Sequence, residues 1–134
     1  MMLLLSMGGD FKMEKYKCSK TEDQIMDFLW ENNGSAKTNE IFRYFNDEEN
    51  QKNWKRQTLN TLLIRLEEKD LIIRTRGQVV VKHTKEELQY LECRKIVSDK
   101  FNGSLIQFLK VYIGNDTISN DDATEIIDTI KSLM

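Results

Sequence analysis

The strongest structural signal in the sequence is a change of hydrophobic period between residues 54 and 83. From Trp54 to Asp70 the spacing is that of one helix face. Four leucines, here called the leucine stripe, carry it: Leu59, Leu62, Leu63 and Leu66. Two β-rich stretches follow, Leu71 to Thr75 and Val79 to His83, separated by Arg76-Gly77-Gln78. The short glycine-containing gap predicts a β-hairpin directly after the helix.

Two further helices are predicted upstream of this helix. Ser19-Lys20-Thr21-Glu22 matches the capping box that begins a helix, and Asn32-Asn33-Gly34 is typical of its end. A second helix is predicted from Lys37 to Phe45, and the polar stretch 46–53 predicts a loop. Three helices followed by a hairpin are typical of a winged helix-turn-helix, in which the third helix enters the DNA major groove and the wing flanks it.

Three more helices are predicted in the rest of the chain, over residues 85–101, 104–113 and 121–133. The middle helix has more apolar residues than one small core would need, which indicates a partner surface. A second copy of the chain is the simplest partner, and a tail folded back on its own domain is the alternative. The dimerisation candidates are Tyr90, Val97, Phe101, Leu105, Phe108, Leu109, Tyr112, Ile126 and Ile130.

The predicted fold is mainly α with a small β-hairpin wing. We expect a loose N-terminal extension over residues 1–18, a winged-helix DNA-binding domain over 19–83 and a helical dimerisation domain over 84–134. The chain lacks proline, which favours helices, and it has no run of 18 apolar residues. Its opening also lacks the basic start of a signal peptide, so we expect a cytoplasmic protein that does not associate with membranes.

The charges are unevenly distributed, although the net charge is only −2. Residues 51–83 contain eight Lys and Arg side chains against three Asp and Glu. This basic segment coincides with the predicted third helix and wing, and local potential rather than net charge attracts a polyanion. The alternative is an ordinary solvated face.

The outer face of the third helix carries side chains suited to reading DNA. Amides such as Gln57 and Asn60 can bond adenine, threonines can contact a thymine methyl or a phosphate, and arginines can grip phosphates. Trp54 has two interpretations, packing on the helix start or an indole N–H bond to a phosphate, and packing is favoured. The DNA-binding candidates are Trp54, Lys55, Arg56, Gln57, Thr58, Asn60, Thr61, Arg65, Arg74 and Arg76.

Enzymatic chemistry finds no support in the sequence. His83 is the only histidine, and Cys18 and Cys93 are 75 positions apart, so neither a metal site nor a cofactor is predicted. Glycine-rich phosphate loops and hydrolase nucleophile motifs are absent from the sequence. We therefore expect a protein that is not an enzyme.

From about Tyr16 to the C-terminus the chain resembles the penicillinase-repressor family. The matching segments are Thr38-Asn39-Glu40-Ile41, Trp54, the run Thr58 to Lys69, the hairpin Arg74 to Val81, and Phe101-Asn102-Gly103-Ser104. The resemblance implies a homodimeric transcriptional repressor with an N-terminal winged helix on an inverted-repeat operator and a C-terminal helical dimerisation domain. For the family's β-lactam branch, the resemblance also implies a protease that ends repression. A membrane sensor triggers this protease.

The chain departs from the family pattern at three places. Gln57 stands where the family often has lysine, and Val111-Tyr112 stands where the β-lactam branch has an Asn-Phe cleavage pair. The Cys-x-Cys ending of the copper branch is missing, which argues against copper sensing.

Two hypotheses from different classes follow. The first is a homodimeric repressor that binds an inverted-repeat operator of double-stranded DNA and controls β-lactam resistance or related stress genes. The second is a winged-helix module that binds another protein and does not bind DNA.

Overall fold

A computed structural model describes residues 13–134, which form six α-helices and one three-stranded sheet. The winged helix comprises α1 Lys20–Glu31, β1 Ser35–Lys37, α2 Thr38–Phe45, α3 Arg56–Glu68, β2 Ile72–Thr75 and β3 Gln78–Val81. The remaining helices are α4 Lys85–Phe101, α5 Leu105–Ile113 and α6 Asn120–Ser132. The predicted class, mainly helical with a small wing, is confirmed.

The chain divides into two compact units within α4. The first unit extends to Lys95, and the second comprises Ile96–Met134. In the second unit, Ser104 and Ser119 cap α5 and α6, and each accepts a hydrogen bond from the backbone N–H three residues on. No helix in residues 13–134 is long and apolar enough to cross a membrane.

The start and end of α1 are as the sequence predicts. The Ser19 hydroxyl accepts a bond from the Glu22 backbone N–H (3.1 Å), and the Glu22 carboxylate accepts one from the Ser19 N–H (2.7 Å). At the other end, Asn33 and Gly34 both have positive φ. A side chain at Gly34 would lie 3.3 Å from Val81, so glycine allows β3 to pass close to the end of α1.

The sheet has one strand that the sequence did not predict. Its order is β1-β3-β2, all antiparallel, with Ala36 opposite Val79 and Val79 opposite Arg74. Strand β1 has only three residues, Ser-Ala-Lys, which is too short to show an alternating pattern. It joins the wing to the start of α2.

Two predicted boundaries were wrong by a few residues. The third helix begins at Arg56 rather than Trp54, because Lys55 is an extended N-cap residue, and it ends at Glu68, because Asp70 has a left-handed backbone (φ 60°). The hairpin turn has two residues rather than three, since Thr75 pairs with Gln78. Arg76 and Gly77 between them both have positive φ, as a two-residue turn of this twist requires.

The core of the first unit joins α1, α2, α3 and the sheet around the leucine stripe. Tyr16 and Cys18 pack against it, and Met13–Tyr16 form a short 3-10 helix. Within the predicted extension 1–18, the described end is therefore packed rather than loose, because these two side chains find apolar contacts. Residues 1–12 of that extension lie outside the described residues.

A partly buried ion pair links α1 to the end of α3. Glu22 is 2% exposed, and its carboxylate lies 2.6 Å from the Lys69 ammonium. Burial alone raises the pKa of Glu22, but the hydrogen bonds from Lys69 and Ser19 hold that pKa below its ordinary value. The same carboxylate thus caps α1 and fixes the C-terminus of α3.

We predict that Lys69→Ala lowers the free energy of unfolding by about 3 kcal/mol, because it leaves a buried carboxylate without its partner. Lys82→Ala is the matched control, since it removes an exposed ion pair with Asp70 and should change stability much less. Urea denaturation at neutral pH measures both. Equal losses in the two variants would contradict the prediction.

The loss of stability in Lys69→Ala should become smaller as the pH falls. Because the folded-state pKa of Glu22 is lowered, the pair's contribution is complete above the ordinary carboxyl value of 4.5 and is lost as the pH falls below it. The stability difference between the wild type and Lys69→Ala should therefore shrink at about pH 3. A constant difference across this range would show that the ion pair does not cause it.

Candidate nucleic-acid interface

The outer face of α3 is determined by the burial of the leucine stripe, whose members are at most 8% exposed. Gln57, Thr61 and Ile64 follow one another at spacings of four and three residues along the opposite side. Thr58 and Arg65 flank this row on one side, and Asn60 flanks it on the side nearer the wing; all six are exposed. The packing thus turns a row of polar side chains toward solvent.

The N-terminus of α3 has no side-chain cap. Its N-cap residue is Lys55, whose side chain has no oxygen to accept a bond from the first N–H groups of the helix. The segment that leads into the helix is nevertheless fixed. The Asn46 side-chain oxygen accepts a hydrogen bond from the Trp54 backbone N–H (2.7 Å), and the Asn46 side-chain N–H donates one to the Trp54 carbonyl (3.0 Å). The Trp54 ring stacks on Phe45, with ring centroids 4.8 Å apart. The free end of α3 is therefore open to an anion.

Arg56, in the first turn of α3, is held by α2. Its guanidinium donates to the Asn39 side-chain oxygen (2.6 Å) and lies 4.5 Å above the Phe42 ring. Neither neighbour is charged, so Arg56 keeps its full positive charge in a fixed position.

The wing turn is tied to the start of α2. The backbone N–H and the hydroxyl of Thr38 both donate to the Gly77 carbonyl, at 2.8 and 3.2 Å. The neighbouring side chain of Arg76 is exposed. The tip of the wing is thus fixed while its arginine remains free.

Arg74 faces α3 rather than the wing tip. Strand alternation places it on the same side of the sheet as the buried Val79. Its guanidinium donates to the Asn60 side-chain oxygen (2.8 Å) and lies 3.5 Å from the Glu67 carboxylate. Arg74 therefore fixes the amide of Asn60 and compensates the negative charge of Glu67.

The cations of residues 51–83 fall into two groups. Lys69, Arg74 and Lys82 form ion pairs with Glu22, Glu67 and Asp70. The other five form no ion pair within residues 15–134: Lys52, Lys55, Arg56, Arg65 and Arg76. These free cations lie before α3, along it and at the wing turn, so the excess positive charge borders the outer face of α3.

The comparison with known families decides the class of this protein. The sequence model of the penicillinase repressor family matches residues 18–132, which is most of the chain. The chain belongs to the penicillinase repressor family. Members of this family are winged-helix, DNA-binding transcriptional repressors and not enzymes. No individual curated protein matches the sequence significantly.

Residues 13–134 contain no group of three His, Cys, Asp or Glu side chains that could hold a metal. The ring of His83 lies 3.4 Å from Glu87, and its backbone carbonyl accepts a bond from the Trp30 indole. Burial raises the pKa of the Cys18 thiol to about 11, so this thiol is protonated and unreactive at neutral pH.

The structure brings most of the predicted DNA-binding residues together on α3, the segment before it and the wing turn. Sequence reasoning missed Thr38 and Asn39, which hold the wing turn and Arg56. Both lie in a segment that resembles the family, but their contacts span long sequence separations that no local pattern reveals. Arg74, another of the predicted DNA-binding residues, lies within β2 and not at the turn.

The second unit of the repressor exposes a large apolar surface. Leu105 is 56% and Tyr112 is 71% exposed, and Ile126 and Ile130 are also exposed. An apolar groove runs between α5 and α6. Phe101 and Phe108 make an edge-to-face contact, so they are half-buried. Val97 and Leu109 are half-buried too, as is Tyr90 in the first unit.

We predict that Arg74 and Asn60 are energetically coupled in the free repressor. In a double-mutant cycle of Arg74→Ala and Asn60→Ala, the coupling energy from urea denaturation should be about 0.5–1 kcal/mol. The matched cycle with Arg76→Ala should be additive, because Arg76 is exposed at the turn. Additivity in both cycles would contradict the contact between Arg74 and Asn60.

Proposed function

We propose that this repressor binds an inverted-repeat DNA operator as a homodimer, with the outer face of α3 in the major groove and the wing on the flanking backbone. The observation that carries this proposal is the exposed polar face of α3 bordered by five unpaired cations. DNA offers the matching chemistry, with base edges between two rows of phosphates.

The base-reading residues in this proposal lie near the N-terminal half of α3. Gln57 and Asn60 present amides that can bond adenine or other base edges, and Thr58 and Thr61 lie beside them. Asn60 would enter the groove already oriented by Arg74. Such fixed side chains lose little freedom on binding, which favours specific recognition.

The phosphate contacts in this proposal come from the borders of the same face. Lys55 and Arg56 lie beside the uncapped N-terminus of α3, where free N–H groups and the helix dipole attract an anion. Further along α3, Arg65 contacts the phosphate backbone of the DNA, and Arg76 contacts the same backbone from the wing. Trp54 supports this end of the site by packing on Phe45.

The homodimer would form through the second unit and α4. Exposed apolar side chains on α5 and α6 are costly unless a partner covers them, and an isologous dimer covers both copies at once. We propose that the dimer interface includes the nine predicted residues from Tyr90 to Ile130. Two linked copies of α3 then bind two half-sites far more tightly than one copy binds a single half-site.

We propose β-lactam resistance or related stress genes as the regulated class, on the basis of family membership alone. An inducing protease is the proposed partner that ends repression. Val111 and Tyr112, where the β-lactam branch has its cleavage pair, are both exposed on α5. A cut there would divide the proposed dimer interface.

We predict that the full chain selects an inverted repeat from a random duplex library and that its affinity is strongly salt-dependent. Six or more phosphate contacts would weaken binding by about a thousandfold between about 50 and 200 mM salt. Arg65→Ala should reduce the slope of log affinity against log salt by about 2, one contact for each protomer. Arg94→Ala, an exposed arginine on α4, should leave the slope unchanged.

Electrophoretic shift titrations at several salt concentrations measure these slopes. Asn60→Ala provides a further contrast, because it should relax sequence preference without changing the slope. A folded dimer that selects no duplex, or that binds with salt-independent affinity, would contradict the proposal and favour the protein-binding module instead.

A further inference from the structure

Ile64 is the one apolar side chain on the outer face of α3, and it is 41% exposed. An isolated exposed isoleucine on an ordinary surface needs no explanation. Ile64, however, follows Gln57 by two helical turns and so continues the row that the proposed function turns toward the base edges. Its position among polar side chains makes it a candidate for reading DNA.

The neighbouring Thr61 adds to this apolar character. Its hydroxyl donates to the Gln57 backbone carbonyl (3.0 Å), so the donor is used within the helix itself. The methyl group of Thr61 remains to contact a ligand. Thr61 and Ile64 are three residues apart and therefore adjacent on the helix surface. Together they form a small apolar spot between the amide of Gln57 and the guanidinium of Arg65.

We propose that Ile64, with the methyl group of Thr61, contacts the 5-methyl group of a thymine in each operator half-site. Thymine is the base that presents a methyl group in the major groove, so an apolar spot there discriminates it from the other bases. Ile64 is then a specificity-determining residue. This inference rests on the proposed function, because it requires α3 in the major groove.

The test uses the duplex that the full chain selects from a random library. Each thymine of one half-site is replaced in turn by deoxyuridine, which removes only the methyl group. The wild type should bind about fourfold more weakly at one position, the value expected for one buried methyl-sized group. Ile64→Ala should lose most of this preference for thymine over uracil at that position, and the methyl group of Thr61 accounts for what remains.

Ile73→Ala is the matched control, since Ile73 is exposed on the outer face of β2 and not on α3. This variant should keep the wild-type preference for thymine. Circular dichroism and urea denaturation of Ile64→Ala check that it remains folded.

Three results would overturn the inference while leaving the proposed function intact: a wild type that binds every uracil-substituted duplex as tightly as the thymine duplex, a uracil penalty that is undiminished in Ile64→Ala, or a selected half-site without thymine. Failure to select any duplex would overturn both proposals. The two failures are therefore distinguishable.

Discussion

Burial of the leucine stripe determines which side chains of α3 this repressor turns toward solvent. A fully buried leucine contributes about 1.5–3 kcal/mol, so four of them resist any rotation of α3 about its axis. With that rotation fixed, Gln57, Thr61 and Ile64 must face outward. The same residues that stabilise the winged helix therefore orient the surface that we propose binds DNA.

Polar contacts then fix the parts of the winged helix that the leucine stripe does not hold. Glu22 and Lys69 tie the end of α3 to the start of α1, and Thr38 ties the wing turn to α2. Arg74 joins β2 to Asn60 and Glu67, so these contacts hold the wing against α3. Because the cations engaged in these contacts differ from the five unpaired ones, the side chains that give rigidity are not those that we propose attract DNA.

Periodicity and caps predicted most of this fold, since α1, α3 and the hairpin each carry a local signal. Ser19 and Glu22 identified one helix start correctly. Strand β1 could not be predicted, because three residues show no period and pair with β3 only through the tertiary fold. The charge count identified the basic segment, but it could not separate Lys69, which is paired with the buried Glu22, from Arg65, which forms no ion pair. The link between Arg74 and Asn60 likewise depends on how β2 packs on α3.

We propose that two copies of α3 bind two half-sites in a fixed relation. The most direct measurement compares the affinity of the full chain for two duplexes. One is the selected inverted repeat, and the other is the same repeat lengthened at its centre by about five base pairs. The insertion rotates one half-site relative to the other by half a helical turn. A same-length repeat with an altered central sequence is the control. We expect a large loss of affinity for the lengthened repeat and little loss of affinity for the control duplex. Equal affinity for all three would contradict the proposal.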